Sequence, residues 1–561
     1  MNTPAPTKQQ DAAPIGAWGA LRYDVFRYLW LATVVSNVGS GLYTAASGWL
    51  MTSLNPNPLI VSLVQVANSL PLFLFALPAG ALADMLDKRR FILALEIFTT
   101  LFSGLFALLV SVHAVTPGVL LLFTFLVSVL AALETPAWQA IVSLLVPKAA
   151  LSSAIAVNSV GVNISRVLGP ALTGIVILSL GIAGPFWLDA VSNLGVIGVI
   201  YWWCPPAKPA RVLPAEHLMG AIRAGVRYAR NNTQLRATLA RSVGFFLFAS
   251  AYWALLPVVA RNQLHGGPAL YGVLLAAIGL GAVGGAGVLP RARKSGPDGI
   301  VMRGEVGTAA ALLLFGIAQQ AWVAVLASLI AGVSWIAVLA SLNVSAQVAL
   351  PEWVRGRGLA AYVTVFFGTM TVGSVLWGFI ADRMGLPAAH YLAAAGALLG
   401  LAATRRWRLH SGPQADLTPS MHWPEPVLAG EVEQDAGPVL VTVEYRVALE
   451  NRAAFLHALT HIAHERRRDG AYAWAVYQDA AHPERILETF LVESWLEHLR
   501  QHRRVTQADR EVEERVQRLT LGEPRITHYI AAETHPLPRP AEPSEPSEPG
   551  DHAGGADGGS H

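Results

Sequence analysis

Residues 118–146 read GVLLLFTFLVSVLAALETPAWQAIVSLLV, and Glu134 is the only charged residue among them. A bilayer core about 30 Å thick is crossed by roughly 20 apolar residues of α-helix. One such run could be a buried helix of a soluble protein, but twelve in series could not share one soluble core. In lipid, every backbone amide must bond within its own segment, so the runs are predicted to be helices. The sequence therefore predicts an all-α, multi-pass membrane protein.

Twelve spans of this kind are predicted, six on each side of a long basic connection. We place them at 26–53, 58–82, 91–112, 118–146, 152–180, 185–203, 237–260, 268–289, 301–318, 322–349, 358–382 and 386–404. Two halves of six spans are typical of secondary transporters built from repeats, which rock about a site at the bilayer midplane. A 12-helix transporter fold with two six-helix pseudo-repeats is the expectation.

The distribution of basic residues predicts the orientation. Even-numbered connections carry lysine and arginine, as at Lys88 and Arg291, whereas odd-numbered connections such as 113–118 and 319–321 have none. Basic loops remain on the cytoplasmic side of a membrane. Both termini are therefore predicted to be cytoplasmic.

The chain divides into seven predicted segments. A cytoplasmic N-terminal segment (1–25) precedes the first six-helix bundle (26–204). A linker (205–236) follows, and its residues 217–230 have helical spacing of apolar residues with interleaved arginines. We interpret that stretch as an amphipathic helix on the inner leaflet, the alternative being a solvated linker. The second bundle (237–404), a linker (405–436), a cytoplasmic α+β domain (437–533) and a disordered tail (534–561) complete the chain.

The α+β domain is predicted from its periodicity. Residues 439–447 alternate apolar and polar side chains, which indicates a strand. Helical stretches at 451–468, 494–500 and 507–519 separate this strand from others at 471–478, 485–492 and 525–530. A β-α-β-β-α-β order is ferredoxin-like.

The loop after the second predicted span has the sequence GALADMLDKRR over residues 80–90. It resembles the loop signature of the major facilitator superfamily, with Met85 and Asp87 departing from the usual residues. Gly80 is predicted to allow close helix approach, and Arg90 is a further transport or gating candidate. The resemblance implies that Asp84, Lys88 and Arg89 form a cytoplasmic charge network. Because Asp87 replaces a glycine, that network is predicted to be rewired through Asp87.

The fifth predicted span contains SRVLGPALTG over residues 165–174. Pro170 frees a backbone carbonyl within the helix, and Gly169 and Gly174 leave room for neighbouring helices. The stretch is similar to an antiporter motif of the drug-exporting branches of the superfamily. It favours export over uptake.

Two charges of opposite sign lie deep in predicted spans four and five. At ~1.5 Å per residue, Glu134 and Arg166 are at similar depths. A charge within the bilayer must pair or face a cavity. We predict either a structural ion pair or a proton- or substrate-linked Glu134 with Arg166 as its exchanging partner.

Other polar residues within spans are candidates for lining a central cavity, although each could simply bond a neighbouring helix. They are Asn37, Gln65, Asn68, Asn158, Asn163, Asn343 and Gln347. Trp138, Trp253 and Trp335 are placed to contact apolar or aromatic cargo.

No phosphate-binding loop of the G-x-x-x-x-G-K-[ST] type is present, which excludes ATP as the predicted driving force. The remaining energy source is a gradient, with protons as the predicted coupling partner.

Histidines 457, 461 and 464, and histidines 498 and 502, share helix faces. We interpret both groups as solvated faces and predict no metal, no cofactor and no catalytic residue.

Together these residues make the chain resemble the transmembrane secretion effector branch of the major facilitator superfamily, which includes the enterobactin exporter and macrolide efflux pumps. Residues 80–90, 134–140, 158–174 and 343–357 carry the resemblance, and residues 468–474 and 494–502 extend it to the soluble module of long members. It implies a proton-coupled exporter of an amphipathic small molecule such as a siderophore, antibiotic or drug, with no nucleic-acid partner. The alternative is a transporter whose monooxygenase-like C-terminal domain modifies or senses the cargo, and a homodimer through that domain is also implied.

Overall fold

The computed structural model describes residues 18–203, 218–292, 296–351, 353–409, 416–423, 426, 430 and 432–532. Some side chains within helices, including that of Asp84, are not described. The predictions for residues 1–17, for the first half of the central linker and for the tail 534–561 lie outside these residues.

Thirteen helices precede the α+β domain within the described residues. They are α1 (Asp24–Leu54), α2 (Pro58–Met85), α3 (Lys88–Ser111), α4 (Pro117–Leu145), α5 (Leu151–Leu180), α6 (Gly184–Trp202), α7 (Leu218–Asn231), α8 (Thr233–Val258), α9 (Pro268–Ala292), α10 (Gly296–Ile317), α11 (Ala321–Val348), α12 (Arg355–Met384) and α13 (Leu386–Thr404). Helix α7 confirms that the stretch predicted to be amphipathic is helical.

Ten of the described helices are long and apolar enough to cross a membrane. The predicted first and sixth spans are also helices, α1 and α6, but neither is among the ten. Both contain several polar residues, including Ser36 and Ser40 in α1 and Asp189 and Asn193 in α6. The structure therefore supports a multi-pass helical membrane protein with ten clear spans.

The two helical bundles contact each other chiefly along two pairs of helices, α2 with α12 and α5 with α9. Ser69 and Thr371 are joined by a hydroxyl hydrogen bond of 2.7 Å, and Asn57 donates to Asp382 at 2.6 Å. Gly174 lies against Gly272, where an added Cβ would be 3.2 Å from the facing Cα atom. The Asn57 and Gly174 contacts join the two bundles at one end, which we call the Asn57 end, whereas the Ser69 contact lies farther along α2.

Aromatic stacking and one arginine extend this closure. The rings of Trp49 and Tyr271 stack with centroids 5.7 Å apart, and the Arg261 guanidinium lies 5.5 Å from the Trp49 centroid. Arg261 also donates to Ser53 at 2.5 Å. The closure thus combines dispersion contacts, a cation–π contact and hydrogen bonds.

The close packing predicted for the fifth span is confirmed. A Cβ added at Gly169 would lie 2.8 Å from both the Cα atom of Gly41 and the carbonyl oxygen of Val38. Both neighbours are backbone atoms of α1, which cannot rotate away. Helices α1 and α5 therefore approach as closely as they do because residues 41 and 169 lack side chains.

The described residues divide into two compact units. The first contains the helices above, and the second contains most of the α+β domain, from residue 421 onward without residues 467–469 and 504–511. The domain has strands β1 (Val439–Arg446), β2 (Ala473–Gln478), β3 (Arg485–Val492) and β4 (Arg525–Ile530), and helices α14 (Arg452–Asp469), α15 (Trp495–Arg504) and α16 (Gln507–Gln517).

The strands form one antiparallel sheet in the order β2-β3-β1-β4. Alternate residues of β1 and β3 are buried, as the period of two predicts. Ser494 accepts a hydrogen bond from the Glu497 amide at 3.3 Å and so caps the N-terminus of α15. The predicted strands and helices of this domain agree with the structure to within a few residues at their ends.

A buried ionic network lies in the core of the domain. Arg466 donates to Glu488 at 3.4 Å and to Glu513 at 2.7 Å. Tyr445 and Trp474 also donate to Glu488, at 2.8 and 2.9 Å. Each buried charge of this network is paired, which is the condition under which buried ions are tolerated.

We predict that Gly169→Ala destabilises the helical bundle. The new Cβ meets backbone atoms of α1 at 2.8 Å, and overpacking of this kind costs about 1–3 kcal/mol. The measurement is the melting temperature of the purified protein in detergent. The matched control is Gly198→Ala in α6, where an added Cβ has no neighbour within 4 Å. Equal melting temperatures for the two variants would contradict the prediction.

We also predict an acid-dependent contribution of Glu513 to the stability of the α+β domain. Burial alone would raise the pKa of Glu513, but the Arg466 guanidinium and hydrogen bonds from His422 and Trp423 outweigh it and lower that pKa to about 2. An unfolded glutamate has a pKa of about 4.3. The stabilisation is therefore complete above pH ~4.3 and is lost as the pH falls towards 2.

The measurement is thermal unfolding followed by tryptophan fluorescence between pH 2.5 and 6. Glu513→Gln should lower the melting temperature at pH 6 and flatten its decline below pH ~4.3. Glu523→Gln, at an exposed glutamate, is the control. If Glu513→Gln and Glu523→Gln give the same pH dependence, the assignment is wrong.

Candidate functional site

A cavity of about 290 Å³ lies between the two bundles, and five helices line it. Helices α1, α2 and α5 contribute from the first bundle, and α8 and α9 from the second. Most of the lining is apolar or aromatic, including Val61, Val64, Trp253, Leu256 and Tyr271. An apolar cavity with a few polar groups is the usual form of a small-molecule site.

Two of the predicted cavity residues, Gln65 and Asn68, line this space. Trp253, which was predicted to contact cargo, and Arg166, which was predicted to pair with Glu134, line it as well. The Asn68 amide donates to the Val64 carbonyl at 3.0 Å and accepts from Ser128 of α4 at 3.3 Å. Arg166 and Pro170 lie one turn apart on the same face of α5. Among the described residues that line the cavity, Arg166 is the only charged one.

The remaining candidates are not among the residues that line this cavity. Asn163 instead donates to the Ser159 carbonyl at 2.7 Å within its own helix. The others outside the lining are Asn37, Asn158, Asn343 and Gln347, together with Trp138 and Trp335.

The predicted ion pair between Glu134 and Arg166 does not form in this structure. Both residues are described, yet Glu134 of α4 hydrogen-bonds to Glu96 of α3, and Arg166 lines the cavity. The prediction assumed that consecutive helices are neighbours. Helix α4 packs mainly against α2 and α3 and makes few contacts with α5, so similar depth does not bring the two charges together.

Glu96 is a functional candidate that the sequence analysis missed. Its side chain is buried in α3, and its carboxyl group shares a hydrogen bond with that of Glu134. Such a bond requires a proton on one of the two groups. The sequence alone could have identified Glu96, because it is the only charged residue within predicted span 91–112.

Asp189 of α6 lies near the same pair and is buried. It accepts hydrogen bonds from Ser103 of α3 at 2.6 Å and from Ser40 of α1 at 3.2 Å. Because Ser40 lines the cavity, Asp189 connects the cavity wall to the helix that carries Glu96. The first bundle thus contains three acidic side chains, Glu96, Glu134 and Asp189, in one polar cluster.

The loop at residues 80–90 is only partly described. Asp87 is the N-cap of α3 and accepts from the Arg90 amide at 3.0 Å. Arg89 donates to the carbonyls of Ile200 and Tyr201 at 3.0 and 2.5 Å, which ties α3 to the end of α6. The predicted close approach at Gly80 is absent, since a Cβ there has no described atom within 4 Å. The charge network with Asp84 and Lys88 stays a prediction.

The family model described as transmembrane secretion effector matches residues 15–536, which is nearly the whole chain. The chain belongs to this family of the major facilitator superfamily. It is a multi-pass membrane transporter and not an enzyme.

Curated relatives and solved structures agree with this assignment. The chain is 25% identical to the multidrug efflux pump Tap of Mycolicibacterium fortuitum, over 64% of this chain and 89% of Tap. It is 26% identical to the enterobactin exporter EntS of Citrobacter koseri, over 64% of this chain and 86% of EntS. The fold is similar to that of a POT family transporter solved with a thioalcohol-conjugated peptide, with a TM-score of 0.56, 11% identity, and coverage of 68% and 95% of the two chains.

The second bundle of the transporter contains a buried charge network that the sequence analysis also missed. Arg241 of α8 donates to Asp298 at 3.2 Å and lies 3.8 Å from Glu305, both on α10. Arg241 also donates to the Trp407 carbonyl at 3.2 Å. This network pairs its charges inside one bundle, whereas Arg166 faces the cavity.

The histidines of the α+β domain fall into two groups. Histidines 457, 461 and 464 of α14 are exposed, as predicted. The prediction of a solvated face at 498 and 502 was wrong, because His498 is buried and His502 is half-buried. Both lie under the sheet face that also carries His528, a residue remote in sequence.

Proposed function

We propose that the chain is a proton-coupled exporter of an amphipathic small molecule, a drug or a siderophore, working by alternating access between the two bundles. The observation that carries this proposal is the cavity between the bundles, which presents Arg166 and is connected through Ser40 and Asp189 to the acidic cluster. The proposal includes twelve spans, cytoplasmic termini and a bacterial inner membrane.

The cavity lining supports an amphipathic cargo that carries a negative group. Apolar and aromatic side chains such as Trp253 and Leu275 favour burial of an apolar surface. The Arg166 guanidinium matches carboxylate or catecholate oxygens through its fixed array of N–H donors. Two relatives, a multidrug efflux pump and an enterobactin exporter, support a drug or a siderophore as the cargo.

The carboxyl pair supports coupling to protons. The neighbouring carboxyl groups of Glu96 and Glu134 are proposed to hold one proton between them, since two ionised carboxylates side by side repel each other. Separation of the two side chains would release that proton. A rocking movement that shifts α3 against α4 provides such a separation. The hydrogen bonds of Asp189 to Ser40 and Ser103 make this movement sensitive to what occupies the cavity.

The closed Asn57 end supports an intermediate open to the opposite side. By the predicted orientation, the Asn57 end faces outward, so this conformation would receive cargo from the cytoplasm. Export then requires the contacts of α2 with α12 and of α5 with α9 to separate while the other end closes.

The α+β domain is proposed to be ferredoxin-like, which its sheet order and its β-α-β-β-α-α-β succession support. Its role as a cargo sensor or modifying enzyme, and a homodimer formed through it, stay predictions. Removal of residues 409–561 followed by a transport assay distinguishes a required module from an appendage.

We predict that Glu96→Gln and Glu134→Gln abolish proton coupling. An amide cannot release the shared proton, so uptake of cargo into everted vesicles should lose its dependence on an imposed proton gradient. The matched control is Glu305→Gln, which alters a buried carboxyl group of the second bundle outside the cluster. Unchanged gradient dependence in both cluster variants would refute coupling through this pair.

We predict that Arg166→Gln weakens transport of anionic cargo on the order of tenfold or more, because loss of about 1.4 kcal/mol of attraction corresponds to a factor of ten. Neutral analogues of similar size should be affected far less, and Arg166→Lys should retain part of the preference. The measurement is the concentration dependence of the initial efflux rate, taken for the anionic and for the neutral cargo. Asn163→Ala, on the same helix but outside the cavity, is the control. Equal losses for anionic and neutral cargo would contradict the assignment.

A further inference from the structure

Three histidine side chains converge in the α+β domain. His498 and His502 lie one turn apart on α15, and His528 is on β4. The Nε2 atoms of His498 and His502 are 3.3 Å apart, and one ring nitrogen from each of the three residues lies within 4.8 Å of the others. The ring centroids of His498 and His528 are 4.7 Å apart.

These distances are close to those of a metal site. Zinc binds imidazole nitrogen at about 2.0–2.1 Å in tetrahedral geometry, which places two ligand nitrogens about 3.3 Å apart. The pair of His498 and His502 already has this separation, and the third nitrogen needs a shift of at most about 1.5 Å. We propose that His498, His502 and His528 bind a divalent transition-metal ion of the zinc type, with the fourth position left for water or another ligand.

The fold brings the three residues together without strain in the sheet. His528 is paired with Val441 in the antiparallel register, and Val441 is a core residue, so both side chains are on the sheet face that the helices cover. Helix α15 crosses this face and presents His498 and His502 to it. A site built on a helix and a strand is better fixed than one built on loops.

Aromatic rings hold the imidazoles in place. The Trp495 ring lies 5.3 Å from the ring of His498 and 6.0 Å from that of His528, centroid to centroid. The Trp423 ring meets His502 edge-on at 5.1 Å. The three ligands are therefore ordered before an ion arrives, which lowers the entropic cost of binding.

Metal ions bind the neutral form of imidazole. The described guanidinium that acts on both His498 and His502 is that of Arg466. Its charge is balanced by Glu488 and Glu513, at 3.4 and 2.7 Å, so an ion would not meet an uncompensated positive charge.

Polar side-chain atoms beside the three histidines could support a bound metal ion. Among the described residues, Nδ1 of buried His498 and the side-chain amide of buried Gln501 are neighbours but lack a hydrogen bond of good geometry. Buried polar groups of native proteins are normally paired. A metal at Nε2 fixes the proton of His498 on Nδ1, where the Gln501 oxygen could accept it after an amide rotation.

The test uses the full-length chain in detergent, purified with a tag that contains no histidine and stripped with a chelator. Zn²⁺ content after dialysis and the visible absorption of the Co²⁺ form report stoichiometry and tetrahedral coordination. We expect one ion per chain. His502→Gln and His528→Gln, at half-buried positions that tolerate an amide, should each weaken binding at least tenfold.

The matched control is the double variant His457→Gln, His461→Gln. This exposed pair on α14 is also one turn apart, with ring centroids 5.7 Å apart. His464 follows on the same helix, but in the described structure these three histidines do not bring three ring nitrogens within 4.8 Å of one another. Binding that survives in the control and fails in the two single variants supports the site. Absence of binding by the unaltered chain, equal binding by all variants, or loss only in the control would overturn it.

A second measurement does not depend on how the variants fold. In the unaltered chain, Zn²⁺ should protect His502 and His528 from diethyl pyrocarbonate, as mapped by mass spectrometry, and leave His457 reactive. Unchanged modification of His502 and His528 would also overturn the proposal. Neither measurement reads transport, so the metal site and the proposed export function stand or fall separately.

Discussion

Charged side chains inside a bilayer are costly unless they are paired or face a cavity, and this constraint organises both bundles of the transporter. In the second bundle, Arg241 is paired with Asp298 and Glu305, and these ion pairs connect α8 to α10. In the first bundle, Glu96 and Glu134 share a hydrogen bond, and Asp189 is bound by two serines. Arg166 alone among the described residues that line the cavity brings a charge to it. One bundle thus has its charges compensated internally, whereas the other presents a guanidinium to the cavity.

Span prediction succeeded where length and composition decide the outcome. The positions of the helices and strands follow from apolar runs and from a period of two, both of which are local properties. Even so, α1 and α6 contain enough polar residues to fall outside the ten clear spans. Their polar residues serve contacts between helices, such as Ser36 with Asn193 at 2.7 Å, rather than contacts with lipid.

The pairing of charges could not be predicted from depth alone. Glu134 and Arg166 lie at similar depths, but which helices touch is a property of the bundle, and α4 packs against α3 rather than α5. Likewise, His498 and His502 could be seen on one helix face, whereas the approach of His528 depends on the strand order of the sheet. Local sequence patterns do not predict contacts between residues that are far apart in the chain, and the site depends on such contacts.

The contact of Gly174 with Gly272 has a consequence for how the transporter moves. At this crossing, backbone meets backbone, and no side chain stands between the helices that a change of rotamer could swing aside. A local gate of the kind formed by one bulky residue is therefore ruled out at that point. If the two bundles separate at this crossing, α5 and α9 must part as whole helices, which is a concerted, rigid-body motion.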